Sequence, residues 1–225
     1  MADLMLPFTR AQFFALFGAY NDAVWPIQIL GYLFGMVMVA MVVRPSSAGN
    51  RFIGLGLALM WTWTGIAYHG LFFSTINKAA LLFGVLFIVQ GGLLFYMAVL
   101  RGRMDFGTSG RAAAWLGWAF VIYAVVLYPL LGMWTGHRYP EMPMFGITPC
   151  PVTIFTFGLL SLTTTPVSRW LLIIPLFWSL LGGSAAALLG VTQDWLLLLS
   201  GIAVPLIVLR DRYPPPASTA AGRSA

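Results

Sequence analysis

Long apolar stretches separated by short polar breaks dominate the chain. They fall near residues 25–43, 52–74, 79–100, 112–134, 144–165, 170–190 and 195–209. A helix needs roughly 20 apolar residues to cross the hydrocarbon core of a bilayer. None of these runs alternates as a membrane-barrel strand does. Backbone polar groups in lipid must be satisfied within the element, so the runs are helices. The pattern therefore predicts an all-α polytopic membrane helix bundle with seven transmembrane helices. Two of the seven are less regular. The fifth spans only if its helix runs through the kink expected at Thr148, Pro149, Cys150 and Pro151, and the last run is short.

The segment before the first crossing, residues 1–24, follows a different pattern. Thr9 is placed to cap a helix, with Gln12 three residues on as a capping box requires. Phe8 and Phe13 occupy the positions of a hydrophobic staple, and Phe13, Phe14, Phe17 and Tyr20 give an aromatic face at helical spacing. This is a short amphipathic helix, either lying on the membrane surface as an anchor or folded over the bundle as a lid. It lacks the basic start of a signal peptide, and Arg10 and Asp22 interrupt it. Residues 25–212 form the transmembrane domain. Residues 213–225, rich in Pro, Ala and Ser, read as a disordered tail.

Composition supports this reading and charge orients it. Hydrophobic residues make up 60% of the chain and charged residues 8%, against about 25% charged in a soluble domain. The net charge of +6 thus needs no nucleic acid to explain it. One set of loops holds Arg44, Arg51, Arg101, Arg103, Arg111, Arg169, Arg210, Arg212 and Arg223; the other holds Arg10, Lys78 and Arg138. The basic side stays in the cytoplasm, which puts the N-terminus outside, the C-terminus inside and the protein in an inner, cytoplasmic membrane. The single cysteine excludes an intramolecular disulfide.

Orientation then selects candidate residues. His69 lies five residues from the outer end of the second span and Cys150 six residues into the fifth, roughly 8 and 9 Å deep at ~1.5 Å per residue. Both fall in the outer half, near Asp22, Asn77, Lys78, His137, Glu141 and Asp194. An ionisable residue within a span usually faces a cavity or a partner. His69 is therefore a candidate solute or proton ligand, or a histidine bonded to a neighbouring carbonyl. Pro149 and Pro151 remove two backbone donors and free carbonyls about one turn upstream, which could act as oxygen ligands beside Cys150. Gln90, midway along the third span, lines a polar path or ties two helices together; Thr153 can return a hydrogen bond to its own helix. Cys150, His69, His137 and Met144 are soft-metal ligand types, although their spacing matches no established motif. Such an ion is the one cofactor these residues could hold; the alternative is a packed joint with Cys150 as a small hydrophobe.

No phosphate-binding glycine loop, H-E-x-x-H or G-x-S-x-G occurs. Lys78 is the sole lysine and lies outside the spans, so there is no retinal-type lysine in the last helix. An enzyme is not expected; a membrane enzyme with His69 or His137 as base is a third reading only.

The elements FTRAQFFALFGAYNDAVWP, AYHGLFFSTINKAALLFGVLFIVQGG, TPCPVTIFTFGLL and IPLFWSLLGGSAAALLGVTQD resemble an uncharacterised bacterial family of multi-pass membrane proteins, loosely labelled as permeases of the major facilitator type. The resemblance implies a bacterial membrane protein and transfers no catalytic residue. Together these lines lead to a permease or channel-like protein for a small solute or ion. Its site would open to the periplasm between the second and fifth spans, and its partners would be the bilayer and the solute. The other reading is a non-catalytic accessory or assembly subunit, with small-residue faces meeting a second copy or a membrane-complex partner.

Overall fold

A computed structural model describes residues 7–108 and 112–212; the tail at 213–225 lies outside the described residues. Among these the architecture is all helical, and the single β-bridge, Phe106 with Thr163, only ties two loops. Eight helices follow in order: α1 Arg10–Ala23, α2 Ile27–Val43, α3 at 47–72, α4 Ala80–Leu100, α5 at 112–134, α6 Pro149–Ser161, α7 Trp170–Leu189 and α8 Trp195–Arg212. Each apolar segment of the sequence holds one of α2 to α8.

Local chemistry sets the helix ends. Thr9 Oγ1 accepts from the Gln12 N–H at 3.2 Å while Gln12 Oε1 accepts from the Thr9 N–H at 2.8 Å, a closed capping box. The Phe8 and Phe13 rings meet at 5.8 Å, as a staple requires. Ser46 caps α3 by accepting from the Gly49 N–H. Three helices widen into π turns: α3 over Thr64–Phe72, α4 over Phe95–Leu100 and α5 over Tyr123–Leu127. In α5 the widening falls just ahead of Pro129, whose missing N–H would otherwise break the ladder. In α3 it carries Tyr68 and His69, and π turns commonly mark functional positions.

Three helices are long and apolar enough to cross a membrane: Ala80–Leu100, Ala113–Trp134 and Trp170–Leu189. A fourth crossing follows if α1 and α2, bent by 85° at Val24–Pro26, count as one broken span. The apolar belt facing outward fits this. Leu33, Leu82, Val85, Ile88, Leu130, Ile173 and Leu199 are all exposed, more outward-facing apolar side chains than soluble monomers ordinarily carry.

The fifth segment differs from expectation. There is no kinked helix over 144–165. The chain runs irregularly to Thr148, and α6 begins at Pro149 and ends at Ser161. The two prolines occupy its first turn, where a missing N–H leaves no helical bond unmade. They start the helix rather than bend it. Its 13 residues reach about 20 Å, short of the ~30 Å hydrocarbon core. Instead α6 is the buried centre of the bundle: Val152, Ile154, Phe155, Phe157 and Leu159 are fully enclosed. It can sit there because glycines remove side chains at one crossing. A Cβ on Gly158 would come within 2.9 Å of the Gly117 carbonyl oxygen, so α5 and α6 touch backbone to backbone.

The loops sort to two ends. At one, Asn50 donates to Asp105 Oδ1 at 2.7 Å and accepts from the Phe106 N–H at 3.1 Å. The Thr164 N–H there donates to the Asp105 carbonyl at 2.8 Å. This end gathers the loops bearing Arg44, Arg51, Arg101, Arg103 and Arg169. Arg10, Lys78 and Arg138 belong to the other end, where α1 lies.

Candidate functional site

Beneath α1, at the arginine-poor end, lies a cavity of about 490 Å³. Its walls are chiefly aromatic. Phe13 and Phe17 face it from α1, Tyr68 from the π turns of α3, Phe83 from α4 and Trp178 from α7. Tyr68 stacks on Phe17 at 5.5 Å and on Phe73 at 5.7 Å. Polar side chains are few: Asn77, Cys150, Ser184 and Asp194.

Asp194 reaches the cavity because of how α7 ends. Gly190 adopts the left-handed conformation, φ 70°, and the Val191 N–H returns to the Ala186 carbonyl at 2.9 Å. A single 3₁₀ turn, Thr192–Asp194, then leads into α8. Asp194 is thereby held inside the arginine-poor end with 2% of its surface exposed. Tyr128 of α5 donates its hydroxyl to Asp194 Oδ1 at 2.5 Å, and the Cys150 thiol faces the same carboxyl group. Burial pushes the acid up from its ordinary 3.8 to about 6, with the Tyr128 and Cys150 hydrogen bonds pulling the other way. No described Lys, Arg or His offsets its charge.

Trp178 forms the opposite wall and is 6% exposed. Its indole N–H is directed toward the Cys150 sulfur without reaching hydrogen-bonding geometry, so the donor is unspent. His69 lies behind that wall and does not line the cavity. It is fully buried, neither ring nitrogen has a partner, and the rings of Phe87 at 4.7 Å, Trp178 at 4.9 Å and Tyr68 at 5.2 Å enclose it.

The other residues singled out in the sequence are placed as follows. Pro149 and Cys150 line the cavity; Pro151 and Thr153 do not, and Thr153 Oγ1 donates to the Pro149 carbonyl at 2.8 Å. The Ile147 carbonyl, upstream of Pro151, already accepts the Tyr20 hydroxyl at 2.8 Å. Prolines in a first turn free no interior carbonyls, so the expected ring of oxygen ligands does not form. Gln90 Nε2 donates to the Leu171 carbonyl at 3.0 Å, tying α4 to α7 away from the cavity. His137 stacks on Phe14 at 4.1 Å, and its pKa is lowered by burial and by Arg10. Met144 faces a separate groove with Trp25 and Tyr139. Among the described residues no three His, Cys, Asp or Glu side chains gather to hold a metal ion.

The roof is tied down by polar bonds as well as aromatic packing. Tyr20 accepts from Trp63 Nε1 at 2.9 Å while it donates to Ile147. Asn21 Nδ2 donates to the Pro140 and Met142 carbonyls at 2.6 and 2.8 Å. Below the cavity the bundle is filled. Trp61 Nε1 donates to Thr156 Oγ1 at 2.8 Å, and Phe155 and Phe157 have no exposed surface.

Asp194, which the sequence places near the expected mouth, is the member that the sequence did not assign to the site. The available signal was one acid between two apolar runs, SAAALLGVTQDWLLLL, at the position that opens the last helix. A family model described as a family of unknown function (DUF6064) matches residues 10–217. No curated protein and no solved structure matches the chain.

Proposed function

We propose that this chain, which belongs to the DUF6064 family of unknown function, is a permease-like protein of the inner membrane that admits a small solute to the cavity beneath α1. In this reading the arginine-rich end faces the cytoplasm. The chain passes seven times between the two ends, with α6 as a short buried passage and α8 exposing Leu199, Ile202 and Leu206 on its outer side, and the cavity opens to the far side. The carrying observation is the cavity's make-up: an apolar chamber with a few polar groups, open along α7 beside the exposed Leu181 and Leu188, in a form usual for a small-molecule site. The roof supports the same reading: α1 joins α2 through an 85° bend, and opening it means releasing the bonds of Tyr20 and Asn21. A solute would enter under α1, rest against Trp178 and Tyr68, and present its polar group to Asp194.

The filled centre below the cavity favours the second reading, a non-catalytic accessory or assembly subunit, in which this chamber seats part of a partner. Uptake into liposomes holding the purified protein decides between them. Permease function predicts protein-dependent uptake of at least one solute from a chemically broad panel, abolished by Ala185→Trp, which fills the cavity from α7. Equal uptake with and without protein across the panel overturns the permease reading.

A further inference from the structure

Resting on the reading of the cavity as a solute site, we infer that its ligand is a lipophilic organic cation, an alkyl or aryl ammonium whose charge sits between Asp194 and the aromatic walls. Three features of the chamber converge on this class. The first is a buried acid without a counter-charge. Asp194 is enclosed, accepts from Tyr128, and meets only groups that are neutral or acidic: Tyr128 and Tyr123 from α5, Cys150 from α6 and Tyr68 from α3. An ionised carboxylate inside a membrane domain ordinarily carries a partner. Here the position where that partner would stand is the cavity.

The second feature is the wall opposite the acid. The rings of Phe17, Tyr68, Phe83 and Trp178 line the chamber. Aromatic faces attract cations that shed water easily, quaternary ammonium above all, and Trp attracts them most. A strongly hydrated metal ion gains little there, and no metal-ligating cluster is present among the described residues. An anion would meet the Asp194 charge with no Lys or Arg to offset it.

The third feature is the unspent Trp178 N–H, nine-tenths buried in the cavity wall. It is directed toward the Cys150 sulfur on the same wall, and an ether or carbonyl oxygen near the charged nitrogen would take it up in place of that weak acceptor. The volume of about 490 Å³ accommodates such a molecule, within the range of roughly 300–1,000 Å³ typical of small-ligand pockets.

Three probes of nearly equal size test the inference on the full chain in lipid nanodiscs, with protein-free nanodiscs as the partitioning control. They are benzyltrimethylammonium, its uncharged carbon isostere neopentylbenzene, and phenylacetate. Intrinsic tryptophan fluorescence and calorimetry at pH 7.5 should show the cation binding about tenfold or more tighter than the isostere, with no binding of the anion. Asp194→Asn keeps the side-chain shape and an acceptor for Tyr128, and should remove the preference for charge. Should that variant fold poorly, the wild type provides the same comparison. Because the acid titrates near pH 6, cation affinity should fall below that pH while isostere binding persists. Equal binding of cation and isostere, or a preference for the anion, overturns the cation assignment and leaves the cavity reading standing. Binding of none of the three overturns both.

Discussion

Asp194→Asn gives the most quantitative prediction of the account. The folded protein holds this acid near 6 rather than 3.8 through burial. Raising an acid's pKa on folding means the folded state binds protons more tightly than the unfolded state. Protonation therefore stabilises the empty protein. That contribution is fully present below about pH 3.8 and is lost as pH rises through 6. At 1.36 kcal/mol per pKa unit, the interval amounts to about 3 kcal/mol across the window. The substitution removes a charge that has no partner and keeps an acceptor for the Tyr128 hydroxyl. At pH 7.5 the empty variant should be more stable than the wild type by up to ~3 kcal/mol, and the difference should close by pH 4. Unfolding free energies in one detergent, measured for both proteins from pH 4 to 8, read this directly. Other groups titrate in both proteins and cancel in the difference. Parallel pH profiles, or a variant less stable at pH 7.5, would refute the assignment of Asp194 as a buried, uncompensated acid.

Tyr20→Phe should leave the Trp63 indole N–H and the Ile147 carbonyl without their partner, costing about 2–4 kcal/mol at 1–2 for each orphaned group. Amide exchange in α1 should accelerate at least tenfold, with little change in α4 or α7; uniform acceleration throughout would mean that Tyr20 holds the bundle and not the roof. Gly158→Ala drives a methyl group into the Gly117 backbone oxygen and should cost more than about 2 kcal/mol in unfolding experiments, whereas Gly92→Ala, where a Cβ meets nothing within 4 Å, should be tolerated. Gln90→Leu removes one donor to Leu171 and one carbonyl oxygen that has no partner. These effects offset, so stability should change by less than about 1 kcal/mol and solute binding should not change. A large loss of binding would return Gln90 to the solute path.

Helix identity was legible because apolar runs of membrane length leave the backbone little choice, and the capping box and staple of α1 were readable residue by residue. The sequence pattern also separated the two sets of loops, since Arg-bearing turns recur on every second connection. What it could not supply was the role of Pro149 and Pro151. Two prolines before an apolar run either kink a long helix or begin a short one, and the choice depends on whether the preceding residues find helical partners. Phe145 and Gly146 instead pack against Gly31, and Thr148 Oγ1 turns back to the Met144 carbonyl at 2.7 Å, so the helix starts late. The depth argument brought Cys150 to the cavity and His69 to the back of its wall, both beside Trp178. It overlooked Asp194 because loop residues are normally solvated, and only the left-handed turn at Gly190 folds this one inward. The docking of α1 was equally hidden, since an aromatic helical face suits a membrane surface and a bundle roof alike.

Cys150 is the sole thiol of the chain and lines the cavity, so its chemical modification tests the central claim most directly. Vesicles of either sidedness are treated with small membrane-impermeant methanethiosulfonates, one cationic and one anionic. The account predicts modification from the side opposite the arginine-rich loops, faster with the cationic reagent and faster again in Tyr20→Phe. Modification only from the arginine-rich side, or only after unfolding, would contradict a solute chamber beneath α1.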